Sequence, residues 1–283
     1  MEWMIREMRS DDLDFAYGCT LSVGWFGEGK DIFRIFLEHD PRGCLVAEVE
    51  GRRAGICIAT PYLKNGFIGE LVVIREMRIF GIGRHLFKRA LDTLGAQGIP
   101  NIYLDGDLNA VPFYESSGFK KICRSLRFKG KVKGKKHLGI RRAQPSDIDR
   151  ICRLDGDLFG DDRSFFLRAR AALHPELCLV QEKQDRLLGY IMAMPAEGLT
   201  SVGPWAAVNP DGSAMLLLEH LAFQIPESVL RIGVLEKNED AVKLIRSQPG
   251  LEEAPFSWFM VHGPSTRLGL HPALYAIGSA AKG

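Results

Sequence analysis

The segment Arg78-Ile79-Phe80-Gly81-Ile82-Gly83 has the residue types of an anion cradle. It follows an apolar, β-branched run that ends near Val73, and a helical pattern starts directly after it. Glycines let a backbone take positive φ and approach a ligand closely. A helix N-terminus adds N–H donors without intrahelical partners and a partial positive charge. Together these features suit a pyrophosphate. A Walker loop is excluded, because no Lys-Ser or Lys-Thr follows the glycines. A dinucleotide-binding turn is excluded by the glycine count and by its place, which is not the first strand–helix turn. A helix that merely opens with glycines is the plainer alternative. Glu70, three residues before Val73, is either a base or a strand-face charge. Tyr114 is either a core aromatic beside Phe113 or a proton donor. Asp105 and Asp107 read as turn and cap residues. Cys123 has only nearby lysines to lower its thiol pKa.

The elements that must position these residues follow from periodicity. The predicted order is a strand (2–8), helices (11–24 and 30–38), a hairpin (44–50 and 53–61) and a strand (66–73). After the glycine turn come a helix (82–97), a strand (101–105), a short helix (109–117) and a last strand (119–130). Ile82, Leu86, Ala90, Leu91 and Leu94 line one face of the long helix.

This unit occurs twice. Ile5–Asp14 aligns with Ile140–Asp149, and LVAEVEGRRAGICIATP (45–61) aligns without gaps on LVQEKQDRLLGYIMAMP (179–195), with seven of seventeen positions identical. NAVPFYESSGF (109–119) aligns with EDAVKLIRSQPGL (239–251) after one insertion. The expected division is a first domain over 1–130, a Gly/Lys-rich linker over 131–138 and a second domain over 139–283. The second copy lacks the chemistry. Glu70 aligns with Pro204, Tyr114 with Ile245 and Asn109 with Asp240, and VNPDGSAMLLLEHL has no R-x-x-G-x-G.

With 283 residues, 46% hydrophobic and 25% charged, the composition is that of a globular protein of two domains. A mean hydropathy of −0.04 and no 18-residue apolar run argue against a membrane span. The start shows no apolar leader pattern. Six scattered cysteines without a C-x-x-C pair fit a reducing, cytoplasmic setting and neither a zinc ribbon nor a disulfide scaffold. Residues 116–146 hold eleven Lys or Arg and no acid, against 26 basic and 35 acidic residues elsewhere. That block could meet nucleic acid, but sparse aromatics and the absence of a nucleic-acid motif favour a solvated strand edge and linker. LDGDLFGDDRS (154–164) lacks the twelfth-position Glu of a Ca²⁺ loop, and no metal is expected.

The element order, the R-x-x-G-x-G run and LDGDLNAVPFYESSGF downstream together resemble the GNAT-type N-acetyltransferases. GWFGEGKDIF near the start and the second half resemble a tandem-GNAT family with a degenerate C-terminal domain. The resemblance implies an α/β (α+β) fold of two tandem GNAT units, each a mixed, mostly antiparallel twisted sheet flanked by helices. It implies acetyl-CoA as cosubstrate, held by Leu71, Val72, Val73, Arg78, Ile79, Phe80, Gly81, Ile82, Gly83, Arg84, Asn109, Phe113 and Tyr114. A backbone N–H at Val73 would polarise the thioester carbonyl. Tyr114 would protonate the leaving thiolate, a small pKa step for a phenol, and Glu70 would be the base. The expected acceptor is a small-molecule amine, with a protein N-terminus or lysine as alternatives. Its expected wall is Trp25, Asp155, Asp157, Arg163 and Trp205, with the acids of 154–164 attracting a cation. A non-catalytic acetyl-CoA sensor is the competing reading.

Overall fold

The computed structural model describes residues 2–25, 29–196, 198–208, 212–264, 267–281 and 283. The first repeat runs β1 (Trp3–Glu7), α1 (Leu13–Ser22), α2 (Asp31–His39), β2 (Cys44–Val49), β3 (Arg52–Pro61), β4 (Asn65–Val73), α3 (Ile82–Ala96), β5 (Asn101–Gly106), α4 (Val111–Ser116) and β6 (Lys120–Gly130). The second runs β7 (Ile140–Arg142), α5 (Ile148–Phe159), α6 (Ser164–Leu173), β8 (Cys178–Lys183), β9 (Arg186–Ala196), β10 (Leu199–Ala207), α7 (Ser213–Gln224), β11 (Val229–Leu235), α8 (Glu239–Arg246) and β12 (Leu251–His262). A short additional strand, β13 (Leu274–Ala276), follows. No described helix is long and apolar enough to cross a membrane.

The strands form one sheet in the order β1-β2-β3-β4-β5-β12-β6-β11-β10-β9-β8-β7, with β13 against β10. Pairing is antiparallel except at β4–β5 and β10–β11. The fold is therefore the expected mixed, mostly antiparallel α/β type. Its connectivity departs from the expected division at residue 130. The first repeat's last strand, β6, pairs with β11 and β12, and β12 pairs with β5. The two repeats have exchanged their final strands. Leu126 and Phe128 of β6 consequently sit in the second repeat's core with Trp205 and Leu217, and Met260 of β12 sits in the first repeat's core with Leu86, Phe87 and Leu104. Each large apolar side chain so buried contributes about 1.5–3 kcal/mol, so neither core is complete without its twin's strand.

The 131–138 segment is anchored rather than free. Lys131 N–H donates to the Gly250 carbonyl at 3.0 Å, and Lys135 N–H donates to that of Glu219 at 3.0 Å. His137 N–H donates to His220 Nδ1 at 3.1 Å.

The aligned polar identities have a structural cause. Arg6 bridges Asp12 and Glu48 at 2.6 Å each, and Arg141 bridges Asp147 and Glu182 at 2.5 and 2.7 Å. Each triad pins the repeat's first strand and the start of its first helix to its second strand.

Candidate active site

β4 ends at Val73, and Arg78 folds back so that its Nε donates to the Val73 carbonyl at 3.0 Å. Residues Arg75–Phe80 form 3-10 turns, and Gly81, with φ of 70°, opens α3. A side chain at that φ would be strained. A Cβ at Gly83 would lie 3.5 Å from Val73 Cγ2, so the cradle packs against the strand end. Arg78, Phe80, Gly81 and Arg84 are exposed, and Ile79 is 83% exposed. Ile82 is buried in the core beneath α3, so only its backbone can face a ligand. A helix N-terminus opened by an αL glycine, two exposed arginines and no acid in the first turn of α3 fit a pyrophosphate, although the Arg84 N–H already donates to the Gly81 carbonyl at 3.0 Å.

Beside the cradle the sheet opens. β4 and β5 pair in parallel only as far as Phe67 opposite Tyr103, and beyond that point no described strand lies between them. On its other side β4 bulges. Ile56 pairs with Val72 and Ile58 with Gly69, so Glu70 and Leu71 together oppose Cys57. Bulges redirect side chains, and Glu70 takes φ of 51° here. Such a conformation costs a non-glycine residue about 1 kcal/mol or more. Buried Glu70 and half-buried Leu71 and Tyr114 line one cavity of about 220 Å³ together with Trp25. Phe87, 5.3 Å from the Tyr114 ring, fixes that ring. Burial, then the neighbouring Cys57, Asp107 and Asp105, pushes the Tyr114 phenol up, which keeps it protonated at neutral pH but makes its pKa step to a thiolate larger than the small one expected from the sequence. Cys123 is buried and its thiol is likewise pushed up, chiefly by burial, which disfavours a nucleophilic thiolate. Phe113 packs at 5.1 Å on Phe87, and Asn109 is exposed on the turn before α4.

The same cavity has walls that sequence reasoning missed. Asp105, read as a turn residue, is a strand residue paired with Arg127 at 2.6 Å. Pro255, Phe256 and Ser257 arrive on exchanged β12, and Ile277–Ala281 arrive after β13. A Cβ at Gly69 would sit 2.5 Å from that of Ala281, so this segment rests directly on β4. The strand exchange hides all of them from a reading of the first repeat alone.

Four of the five expected wall residues lie elsewhere. Trp205 is 0% exposed and packs in the second core. Asp155 and Arg163 are 0% and 1% exposed, paired at 2.8 Å, and Arg163 Nη1 donates to the Gly283 carbonyl at 2.6 Å. A buried carboxylate neutralised by an arginine does not attract a solvent-borne amine. Asp161 serves as a clasp between repeats, accepting from Leu63 N–H and Lys64 N–H at 3.0 Å and Asn65 Nδ2 at 2.7 Å. Asp157 is exposed, on a separate groove with Lys64 and Arg153.

In the second repeat Gly212, with φ of 82°, opens α7 as Gly81 opens α3. β10 and β11 also part, after Val202 opposite Ile232. There β13 fills the opening. It pairs with β10 at Trp205 and Ala206, Ala207 N–H donates to the Ala273 carbonyl, and Ile277 N–H donates to that of Gly233, both at 2.9 Å. There the chain's own backbone hydrogen-bonds to the parted strands.

Comparison with known proteins agrees with this architecture. The model of the GNAT acetyltransferase family matches residues 5–119, and a second GNAT acetyltransferase domain model matches residues 151–276. A search of curated proteins finds no significant relative. Among solved structures, a putative acetyltransferase from Pyrococcus horikoshii is 24% identical with TM-score 0.81, over 99% of this chain and 96% of that one. A GCN5-related N-acetyltransferase from Sphaerobacter thermophilus is 14% identical with TM-score 0.65, over 94% and 98%. A tandem GNAT protein from the clavulanic acid biosynthesis pathway is 15% identical with TM-score 0.64, over 94% and 100%. The chain is a tandem GNAT protein, a member of the acetyltransferase family whose common chemistry is acetyl transfer from an acyl-CoA.

Proposed function

We propose that the first repeat binds acetyl-CoA and passes its acetyl group to a primary amine by direct attack. The observation that carries this is the pairing of an open β4–β5 splay with the Gly81 cradle at one end and Tyr114 and Glu70 in one cavity at the other. In this reading the backbone of Arg78–Arg84 holds the pyrophosphate, with Asn109 and Phe113 flanking the pantetheine arm. The Leu71–Val73 backbone aligns the thioester, and the Val73 N–H polarises its carbonyl. The amine nitrogen bonds to the acyl carbon as the C–S bond breaks. The amine proton leaves to Glu70, directly or through water, and the sulfur takes the proton of Tyr114. Holding both reactants in one cleft supplies the proximity that a ternary mechanism needs.

Tyr114→Phe keeps the ring and deletes the donor. Thiol release with a panel of amines is expected to fall about 10²-fold in kcat, with acetyl-CoA affinity nearly unchanged. A Phe variant that turns over at the wild-type rate where chemistry is limiting assigns the acid elsewhere. Acetyl-CoA binding without thiol release from any amine supports a sensor instead.

A further inference from the structure

The cavity beside Glu70 is walled by both repeats, and its walls are mainly apolar. Two strand ladders break where they border it. β4 bulges at Glu70 and Leu71, and exchanged β12 bulges as well. Ala254 pairs with Arg127 and Ser257 with Ser125, so Pro255 and Phe256 together oppose Leu126. A proline cannot donate to a ladder, and a bulge re-aims the side chains around it. Phe256 is half-buried and lines the cavity. Its ring is held by the edge-on Trp258 ring at 6.0 Å and by the Arg124 guanidinium at 5.4 Å. Ile277 arrives after β13, pinned by its N–H, which donates to the Gly233 carbonyl at 2.9 Å. A Cβ at Gly233 would lie 3.0 Å from Ile277 Cγ1 and Cδ1, so this aliphatic side chain covers β11 between Arg127 and Arg231. Half-buried Trp25 and Leu71 add apolar surface from the first repeat.

The polar groups of the lining are answered largely within the protein. Arg127 pairs with Asp105 at 2.6 Å and places its other contacts on Ser125, Ser257 and the Leu126 carbonyl. The second Asp105 oxygen has no partner and is closed off from solvent. The Thr20 hydroxyl donates to the Tyr17 carbonyl at 2.8 Å. Glu70, Ser201, Arg231 and Ser279 each hold an interaction of their own. A ligand that carried a second charge into this space would give up its water and meet groups already engaged, which is costly. Asp107, exposed two residues beyond Asp105, can meet one ammonium.

We infer that the acceptor is a primary monoamine on an uncharged apolar body, and that Phe256 and Ile277 of the second repeat select that body. This rests on the acetyl-transfer reading above and adds the class of acceptor to it. A dry cavity of about 150 Å³ takes a benzene ring, so about 220 Å³ takes a ring with roughly two or three further atoms. The body is thus about the size of a phenyl group on a short alkyl arm.

The test uses the full chain, acetyl-CoA and thiol release. The probes are primary amines matched in length: alkylamines, phenylalkylamines, naphthylalkylamines, diamines and ω-aminocarboxylates. Phenylalkylamines are expected to exceed diamines and ω-aminocarboxylates by about 10- to 100-fold in kcat/KM, mainly through KM, as burial of one large apolar group provides. Phe256→Ala is expected to lower kcat/KM for phenylalkylamines about tenfold, through KM, and to move the optimum to the larger naphthylalkylamines, with acetyl-CoA affinity retained. Lost folding alone would not create a new optimum. Should Phe256→Ala fail to fold, Ile277→Ala enlarges the same wall and carries the same expectation. Charged amines that match or exceed the apolar ones, or an optimum that stays in place in the enlarged variant, would overturn the inference while leaving acetyl transfer standing. No thiol release from any amine would remove the acetyl-transfer reading and this one with it.

Discussion

Replacing Arg163 by methionine tests how much the buried pair of Asp155 on α5 and Arg163, just before α6, contributes to stability. The guanidinium donates twice to Asp155 at 2.8 Å and once to the Gly283 carbonyl. It also lies 3.9 Å over the Phe159 ring. Methionine fills comparable volume but leaves Asp155 as a buried carboxylate without its arginine, with the Tyr190 hydroxyl still donating to it. Breaking a buried pair in this way costs about 3–5 kcal/mol. For 283 residues the entropy of unfolding is about 0.6 kcal/mol/K, so the expected fall in Tm is about 5–8 °C. The triple variant Asp155→Leu, Arg163→Met, Tyr190→Phe removes every stranded polar group and should regain most of the loss. Urea titration at constant m reads these differences. A single variant that loses less than about 1 kcal/mol, or a triple variant no better than the single one, would refute the reasoning.

The remaining predictions address the cradle, the plugged opening and the acid side of the stability curve. Gly83→Asp places a charge where the pyrophosphate would sit, in space that accepts a Cβ. Acetyl-CoA affinity should vanish with Tm nearly unchanged, and undiminished binding by calorimetry would withdraw the assignment. Calorimetry of the wild type should give one acetyl-CoA per chain, because β13 fills the second opening, and a second equivalent bound would contradict this. Burial alone would raise the Asp12 pKa, but hydrogen bonds from Arg6, Arg9 N–H and Arg53 hold it at about 2. Its folded value is depressed, so its stabilisation is present above the unfolded value near 4 and lost as pH falls through about 2. Asp12→Asn should therefore flatten the pH dependence of stability between about pH 4 and 2; an unchanged slope would count against the triad.

Much of this site could be read before the fold was known, because its signals are local. The β4–turn–α3 segment announces itself through Gly81 and Gly83, and the α3 face through Ile82, Leu86, Ala90 and Leu94. The repeat was legible because Arg6, Asp12 and Glu48 recur as Arg141, Asp147 and Glu182, a pattern that one ion triad enforces twice. What stayed hidden depends on distant pairing. Nothing local to β5 tells it to choose Phe259 of β12 opposite Asp105 over a residue of β6, the next strand in the chain. Asp155 and Arg163, eight positions apart, read as exposed because the partners that bury them, Tyr190 and Gly283, are remote. The β13 segment, three residues flanked by Gly and Pro, is too short to show a period of two.

The strand exchange also fixes an order of completion during synthesis. A nascent chain that has reached Gly130 already contains the cradle, Tyr114 and Glu70, yet β5 has no neighbour on its outer edge until Leu251–His262 emerges. For that interval β6 is the nearest strand able to cover it, in a local arrangement the finished protein abandons for β11 and β12. Long-range pairing of this kind is slow, and waiting edges invite wrong partners. β12 from a second chain is chemically identical to the one awaited, so crowded synthesis offers a ready route to swapped dimers. The half with the cradle is thus translated first and finished last.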